Sequence, residues 1–327
     1  MKILITGGAG FLGTQLGRTL LQCGQMRERA IGELVLADLA EPAGDLAGDA
    51  RVRVVLGPLM DHCPALAKER FDVVFHLAAA VSAECEANFE LGMRTNLDTT
   101  RALLDALRAE GNCPRLIFAS SVAVFGSDPG LPLPPVIRDT TLPTPQSSYG
   151  IQKFICEQLV ADYTRKGFID GRIGRLMTVV VRPGRPNGAA SGFLSAIVRE
   201  PLNEMDTVCP VPLDMSVALA SPSNTMNALI TLAEADREML GGRTAINFPA
   251  LTVKVGEILD ALEAVGGETA RERVSFKSEP AIARIVGSWP SAFESERAAR
   301  LGLQPDADMI SIIREYMNEH GAMCVGA

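Results

Sequence analysis

The sequence is poor in the residues that metal sites and disulfide frameworks require. It contains only three histidines, His62, His76 and His320, and its seven cysteines are odd in number with no pair in C-x-x-C spacing. No histidine stands at ligand spacing from a cysteine. We therefore expect no metal site and no disulfide framework, and reduced thiols in the cytoplasm are the simplest interpretation.

The sequence also lacks a long apolar run and an excess of positive charge. Residues 1–13 begin with a lysine and apolar residues, as a signal peptide does, but glycines interrupt that run, and no stretch of about 18 apolar residues follows. Lysine and arginine number 31 against 39 acidic residues, which gives a formal charge of -8. Such a surface repels phosphate backbones and anionic lipids. We expect a cytoplasmic protein with no nucleic-acid or membrane partner, in which an anionic small substrate needs a local cationic pocket.

Short apolar runs alternate with helical patterns in the first half of the chain. Leu12, Leu16 and Leu20 recur at four-residue spacing, which gives a helix one apolar stripe. Strand and helix alternating in this way predict an α/β fold, a doubly wound parallel (Rossmann) sheet covered on both faces. The predicted strands are Lys2–Thr6, Leu34–Ala37, Val52–Leu56, Val73–Leu77, Leu116–Ala119 and Val179–Val181.

The composition changes after Arg182, where loop-rich and proline-rich segments begin. The 327 residues are enough for two unequal domains. We expect residues 1–182 and 222–249 to form a dinucleotide-binding domain, and residues 183–221 and 250–327 to form a smaller C-terminal substrate domain. Residues 129–145 contain six prolines and are predicted to be a surface loop or lid.

A glycine-rich segment lies between the first predicted strand and the first helix. Glycines there permit a tight turn and let the backbone approach a pyrophosphate, which the helix N-terminus favours. Asp38 ends the second strand, where a carboxylate accepts hydrogen bonds from an adenosine ribose and repels a 2′-phosphate. We therefore predict NAD as the cofactor, preferred over NADP. The alternative is a plain glycine turn with Asp38 capping a loop. The predicted contacts from the glycine-rich segment are Gly7, Gly10, Phe11, Leu12 and Gly13.

Tyr149 and Lys153 stand four residues apart and share one face of a predicted helix. A lysine ammonium near a phenol stabilises the phenolate and lowers its pKa, so that a tyrosine can accept a hydroxyl proton. Ser120 and Ser121 end the strand Leu116–Ala119 and are the candidate partners of this pair.

On these residues the sequence resembles the extended short-chain dehydrogenase/reductase family, the relatives of nucleotide-sugar epimerases and dehydratases. The resemblance runs through TGGAGFLG, Asp38, HLAA, RTNLDTT, FASSVAVFG and YGIQK, and it covers the first 190 residues best. It implies Tyr149 as the acid/base and Lys153 as a contact of the nicotinamide ribose. It implies Ser121 as the hydrogen-bond partner of the reacting hydroxyl, with Ser120 as the alternative. The further cofactor contacts that it implies are Leu77, Ala78, Ala79, Asn96 and Pro183.

The sequence departs from its relatives in ways that narrow the chemistry. Dehydratases of the family carry an Asp-Glu pair where this chain has Val122 and Ala123, so a dehydratase is disfavoured. Epimerases commonly place an asparagine three residues after the arginine that corresponds to Arg182, and here that position is Arg185. A guanidinium can bind a carboxylate through two hydrogen bonds, which a neutral amide cannot do. Arg185 therefore predicts an acid substrate, and Arg199 is a weaker second candidate.

The segment from Leu176 to Leu202 and the motif SWPSAF resemble the branch of this family that oxidises the C2 hydroxyl of a four-carbon sugar acid such as D-erythronate. The leading hypothesis is an NAD-dependent dehydrogenase acting on a small sugar acid. In this hypothesis Tyr149 removes the hydroxyl proton, Ser121 holds the oxygen and Arg185 holds the carboxylate.

Two alternatives stay open at this point. One is a nucleotide-sugar 4-epimerase that keeps NAD tightly bound, and the other is a dinucleotide-sensing regulator without catalysis. The joint presence of Ser121, Tyr149 and Lys153 disfavours the regulator. The family resemblance also implies a homodimer, paired through the helix of residues 96–107 and the helix that begins at Tyr149.

Overall fold

The structure is a computed structural model that describes residues 1–184 and 190–320. Its strands are β1 (Lys2–Thr6), β2 (Gln25–Met26), β3 (Arg29–Ala30), β4 (Glu33–Asp38), β5 (Val52–Leu56), β6 (Val73–His76), β7 (Arg115–Ser121), β8 (Ile137–Arg138), β9 (Asp170–Leu176), β10 (Thr178–Val179), β11 (Thr207–Cys209), β12 (Ser216–Ala220), β13 (Ile246–Asn247), β14 (Leu251–Lys254), β15 (Val274–Phe276) and β16 (Phe293–Glu294). Its α-helices are α1 (Phe11–Cys23), α2 (Gly44–Ala47), α3 (Leu59–Ala67), α4 (Ser82–Ala87), α5 (Phe89–Gly92), α6 (Thr99–Glu110), α7 (Ser148–Arg165), α8 (Gly192–Leu202), α9 (Pro222–Glu234), α10 (Val255–Glu272), α11 (Pro280–Gly287), α12 (Glu296–Arg300) and α13 (Met309–His320). Short 3₁₀ segments occupy Val122–Val124 and Arg237–Leu240, and a π-helical segment, Met93–Asp98, precedes α6.

A seven-stranded parallel sheet forms the centre of the molecule. Its strands lie in the order β13-β9-β7-β6-β1-β4-β5, so that β1 pairs with β4 on one side and with β6 on the other. The strand order reverses at β1, and open parallel sheets of this kind bind ligands in the crevice beyond the carboxyl ends of the strands at such a switch point. The predicted doubly wound α/β fold is confirmed.

Helices cover both faces of this sheet because its central strands are apolar on both sides. Along β1, Ile3 and Ile5 belong to a buried cluster with residues of α1 and α9, whereas Leu4 belongs to a cluster with residues of α3, α6 and α7. All three side chains are fully buried. The alternation follows the two-residue period of a strand, and it explains why this run reads as continuously hydrophobic.

One predicted strand of the central sheet is wrong. The sheet position after α7 belongs to β9, while Val179 of the predicted strand Val179–Val181 lies in β10, which pairs with β12 in a separate three-stranded sheet. β9 was not predicted from the sequence because Arg172 and Arg175 are charged residues that are typical of an exposed segment. Both arginines are buried among internal hydrogen-bond partners, so their charge does not mark an exposed strand.

The second half of the chain builds another apolar core, around the three-stranded sheet β10-β12-β14. Helices α8, α10 and α13 contribute most of its buried side chains. Leu301 and Leu303, which follow α12, pack instead with the core beneath α1 and α9. The predicted domain boundaries stay a prediction. None of the helices within residues 1–184 and 190–320 combines the length and hydropathy that a membrane span requires.

The proline-rich residues 129–145 contact the C-terminal half of the chain through a short strand pair. Within them β8 pairs with β16, and Ile137 at its start is fully buried against Phe125 and Phe293. This pairing joins the segment after β7 to the segment that follows α11.

Arg172 offers a test of how the buried charge in β9 is tolerated. Its guanidinium donates to the carbonyl oxygens of Leu232 and Ala235 at 2.7 and 2.6 Å and to Asp170 at 3.0 Å. We expect Arg172→Met to lower the free energy of unfolding by about 3–5 kcal/mol, because it leaves buried acceptors and part of the charge of Asp170 unpaired. Urea denaturation measures this change.

The matched control is Arg165→Met, which removes an exposed ion pair with Asp162 on the surface of α7. It should change the free energy of unfolding by less than about 1 kcal/mol. Equal effects of the two substitutions would contradict the internal role given to Arg172.

Candidate active site

The glycine-rich segment forms a tight turn between β1 and α1. Gly7 has a φ of +74°, and a Cβ on it would lie 2.8 Å from the backbone nitrogen of Ala78. A Cβ on Gly13 would lie 2.0 Å from the carbonyl oxygen of Gly7. No other residue type fits at either position without moving the backbone. The turn therefore brings the start of α1 close to the end of β6.

Asp38 ties this turn to the end of β4. Its carboxylate accepts hydrogen bonds from the backbone nitrogen of Ala9 at 2.9 Å and from that of Leu39 at 2.7 Å. Asp38 also lines the cavity beside the turn. Asp38 thus caps the loop, as the alternative interpretation supposed, and also faces the space where a ribose diol is expected.

A cavity of about 820 Å³ opens at the carboxyl ends of the strands. Its lining includes most of the residues that the sequence singled out: Gly7, Gly10, Phe11, Leu12, Gly13, Asp38, Leu77, Ala78, Ala79, Ser120, Ser121, Tyr149 and Lys153. Asn96 and Pro183 are not among the described lining residues. Arg185 lies outside the described residues, so its predicted contact stays a prediction.

The residues at the turn fit a dinucleotide. Gly10 begins α1 without a side-chain cap, and no acidic residue lies in the first helical turn. The residues at the start of α1 line the cavity, so its first amide groups and the positive end of the helix dipole lie where they can bind a pyrophosphate. Lys153 and Tyr149 line the same cavity, which leaves room between them and the turn for an extended cofactor such as NAD.

Asn96 acts one layer behind the wall of the cavity. Its side-chain oxygen accepts from the backbone nitrogen of Ala80 at 2.8 Å, and its side-chain nitrogen donates to Gln152 at 2.8 Å. The side chain is buried. These bonds hold the loop after β6, and through it Leu77 to Ala79, against α7. The structure thus gives Asn96 a positioning role, and its predicted contact with the cofactor stays a prediction.

Tyr149 and Lys153 face the cavity from the start of α7. Nζ of Lys153 lies 5.7 Å from the ring centre of Tyr149 and donates a 2.8 Å hydrogen bond to the carbonyl oxygen of Ala119. Burial lowers the pKa of Lys153 to about 8. Burial also raises the pKa of Tyr149 to about 12, against a hydrogen bond with Ser121 that lowers it. In the structure burial therefore raises the pKa of Tyr149, where the sequence predicted a lowering by Lys153.

The two serines at the end of β7 have different partners. Ser120 is buried and donates a 2.5 Å hydrogen bond to Glu157. Arg175 binds the same carboxylate at 2.9 and 2.7 Å, so the hydroxyl of Ser120 is held inside a charged internal network. Ser121 is only partly buried, accepts from the backbone of Ala123 at 3.1 Å and lies within reach of Tyr149. Of the two, Ser121 is the hydroxyl that can turn to a substrate.

Arg182, for which the sequence predicted no role, is a further cationic group that lines the cavity. Arg182 follows β10, and its buried Nη2 has no hydrogen-bond partner among the described residues. Burial and the charge of Arg199 both lower its pKa. Arg199, the weaker candidate for the acid, donates instead to the carbonyl oxygen of Arg182 and pairs with Glu200. The signal for Arg182 was its place directly after the predicted strand Val179–Val181.

Further lining residues come from parts of the chain that are distant in sequence. The lining of the same cavity also includes Ser82, Arg94, Thr178, Ser191 and Trp289. Trp289 belongs to the motif SWPSAF, which the sequence analysis used only as a resemblance. Across residues 1–184 and 190–320, no three His, Cys, Asp or Glu side chains come together in a group that could hold a metal ion.

The fold and the cavity define a dinucleotide-dependent oxidoreductase with a tyrosine–lysine pair. A family model for the NAD dependent epimerase/dehydratase family matches residues 3–235, and the chain belongs to this family. The predicted family, the NAD cofactor and the class of NAD-dependent oxidoreductase are confirmed.

Two curated relatives are similar over their whole length. The chain is 48% identical to a D-erythronate dehydrogenase of Cupriavidus necator, over 98% of this chain and 99% of the relative. It is 40% identical to a D-erythronate dehydrogenase of Haemophilus influenzae, over 97% and 99%. A crystal structure described as a nucleoside-diphosphate-sugar epimerase from Agrobacterium tumefaciens superimposes with a TM-score of 0.92 at 39% identity, over 98% of this chain and 95% of that one.

The pKa values of Tyr149 and Lys153 predict how oxidation depends on pH. Well below a pKa of about 12, the phenolate fraction of Tyr149 rises tenfold per pH unit, so kcat/KM should rise steeply between about pH 6 and pH 8. Lys153, with a pKa of about 8, loses its charge above that pH, and the rise should end there. A pH profile of kcat/KM measures both effects.

Two variants separate these groups. Lys153→Arg keeps a positive charge and should carry the rise beyond pH 8, whereas Tyr149→Phe should lose about 10²–10⁴-fold in turnover. A rate independent of pH in the neutral range, or an active Tyr149→Phe variant, would exclude Tyr149 as the base.

Proposed function

We propose that this chain is an NAD-dependent dehydrogenase that oxidises the C2 hydroxyl of D-erythronate, or of a similar small sugar acid, to the 2-oxo acid. The two relatives called D-erythronate dehydrogenase support this substrate class, since they match almost the entire chain at 48% and 40% identity. The observation in the structure that carries the proposal is Arg182, which lines the same cavity as Ser121 and Tyr149 and whose buried Nη2 has no hydrogen-bond partner among the described residues.

The residues of the cavity divide the reaction between them. Oxidation of an alcohol removes a hydride from the carbon and a proton from the hydroxyl, and bound NAD supplies the hydride acceptor. Tyr149 accepts the hydroxyl proton, and Ser121 orients the hydroxyl through a hydrogen bond. Lys153, fixed by the carbonyl oxygen of Ala119, places its charge near Tyr149 and stabilises the phenolate that accepts the proton.

The carboxylate of the acid is assigned to a guanidinium. A buried arginine nitrogen without a partner is costly, and a carboxylate that binds it recovers a charge-assisted hydrogen bond. Arg182 is held in place through its backbone, which donates to Ser195 and accepts from Arg199. The predicted contribution of Arg185, which lies outside the described residues, stays part of the proposal.

The epimerase and the regulator are disfavoured as alternatives. The two relatives described as dehydrogenases reach 48% and 40% identity, and the structure described as an epimerase 39%. A regulator has no need of Ser121, Tyr149 and Lys153 around one cavity.

The test is the formation of NADH with a panel of three- to six-carbon aldonates. We expect NADH to appear in proportion to the acid consumed, with D-erythronate among the best substrates. Conversion of a nucleotide sugar without any net NADH would establish the epimerase instead.

Arg182 gives a direct test of the substrate class. Arg182→Ala should raise KM for the acid roughly 10- to 100-fold, because a charge-assisted hydrogen bond is worth about 1.5–3 kcal/mol. Arg182→Lys should restore part of the loss, since it keeps the charge without the planar fork. Steady-state kinetics measures KM, and NAD affinity, which should hardly change, serves as the control. An unchanged KM in Arg182→Ala would remove the carboxylate assignment.

We also propose that the protein is a homodimer paired through α6 and α7. Ile151 and Ile155 lie on the outer face of α7 and are 46% and 38% exposed, and a partner molecule would cover them. Sedimentation at micromolar concentration should therefore give about twice the 34.8 kDa of the chain.

A charge on this face should separate the two copies. Ile155→Asp is expected to yield monomers, whereas Leu142→Asp, at an exposed position of the proline-rich loop, should leave the dimer intact. A monomeric wild-type protein would contradict this assembly.

The proposed location is the cytoplasm, where NAD is available and cysteine thiols stay reduced.

A further inference from the structure

Trp289 holds a particular place in the wall of the active-site cavity. It is the only tryptophan of the sequence and follows directly after α11, where its backbone nitrogen donates to the carbonyl oxygen of Val286 at 3.2 Å. The side chain is partly buried against the apolar core of the C-terminal half. None of the roles assigned above to cofactor binding or proton transfer uses it.

Three side chains line two cavities at once. Val122, Thr178 and Trp289 belong to the lining of the active-site cavity and also to that of a space of only about 10 Å³ beside it. The remaining walls of the smaller cavity come from Ser216, Val217, Ala218, Val286 and Pro290. The three shared side chains therefore form the partition between the active site and this second space. The indole of Trp289 is the largest of these three side chains.

The residues that directly follow Trp289 are bonded to two other parts of the chain. The side chain of Thr252 in β14 donates to the carbonyl oxygen of Ser291 at 2.5 Å. The backbone nitrogen of Ile137 in β8 donates to the carbonyl oxygen of Ala292 at 2.9 Å. Phe293 then packs edge-on against Phe125 at 6.1 Å between ring centres. These contacts reach both the C-terminal sheet and the proline-rich segment, and they hold the backbone directly after Trp289 in place.

We propose that Trp289 sets the length of the acid that the site accepts, a role that rests on the proposed function. A longer aldonate adds carbons that each carry a hydroxyl, and these need both space and a hydrogen-bond partner. With the indole in place the space ends at the partition. Without it the active-site cavity gains the volume of the indole and extends toward Ser216, which is exposed, so that a fifth or sixth carbon finds room.

The test compares kcat/KM for four-, five- and six-carbon aldonates in wild type, Trp289→Ala, Trp289→Phe and Phe276→Ala. The ratio of six-carbon to four-carbon kcat/KM should rise at least about tenfold in Trp289→Ala and by less in Trp289→Phe. Phe276→Ala, which removes an exposed aromatic ring of the same half of the chain, should leave the ratio unchanged. A ratio that stays the same in both tryptophan variants would overturn the proposal.

A second readout uses the fluorescence of the single tryptophan and needs no turnover. In the Tyr149→Phe variant with NAD present, saturating D-erythronate should shift or quench the emission of Trp289. Unchanged emission would overturn the proposal. Because this measurement does not use Trp289→Ala, it tests the proposal even if that variant fails to fold. If the wild-type protein oxidises none of the aldonates, the proposed function itself is wrong. If it does oxidise them but the tryptophan variants keep the same length preference, only the role of Trp289 is wrong.

Discussion

The close packing of the glycine turn against the ends of β4 and β6 is the constraint on which the rest of the site depends. The backbone nitrogens of Gly7 and Gly8 donate to the carbonyl oxygen of Ala37, and Asp38 accepts from Ala9. A single Cβ on Gly7 would collide with Ala78. The cavity keeps its shape because these backbones touch. The first amides of α1, the carboxylate of Asp38 and the loop after β6 consequently face one space.

A second layer of buried polar groups holds the catalytic side of that space. Asn96 fixes the loop after β6, while Glu157 and Arg175 bind each other and engage Ser120. One face of α7 serves both the cavity and the buried polar network, because it carries Tyr149, Lys153 and Glu157 at four-residue spacing. Its start contacts the cavity, and its middle joins the internal network.

The sequence predicted the parts of the site that depend on local spacing. The glycine turn, Asp38 and the pair Tyr149–Lys153 each lie within one turn, strand end or helix, so their geometry follows from short-range rules. β9 was missed because its arginines are neutralised by partners far along the chain, among them Glu157 and the carbonyl oxygen of Leu232. Arg182 and Trp289 meet in one cavity only because the C-terminal half folds back over the sheet, and no local pattern encodes that meeting.

The central claim is that the C2 hydrogen of a small sugar acid leaves as a hydride while Tyr149 accepts the hydroxyl proton. D-Erythronate deuterated at C2 tests it most directly, by mass spectrometry of the reduced cofactor and by comparison of the rate with that of the unlabelled acid. The account predicts that one deuterium per turnover appears in NADH and that the labelled acid does not react faster. Deuterium lost to water, or retained in the acid product, would contradict it.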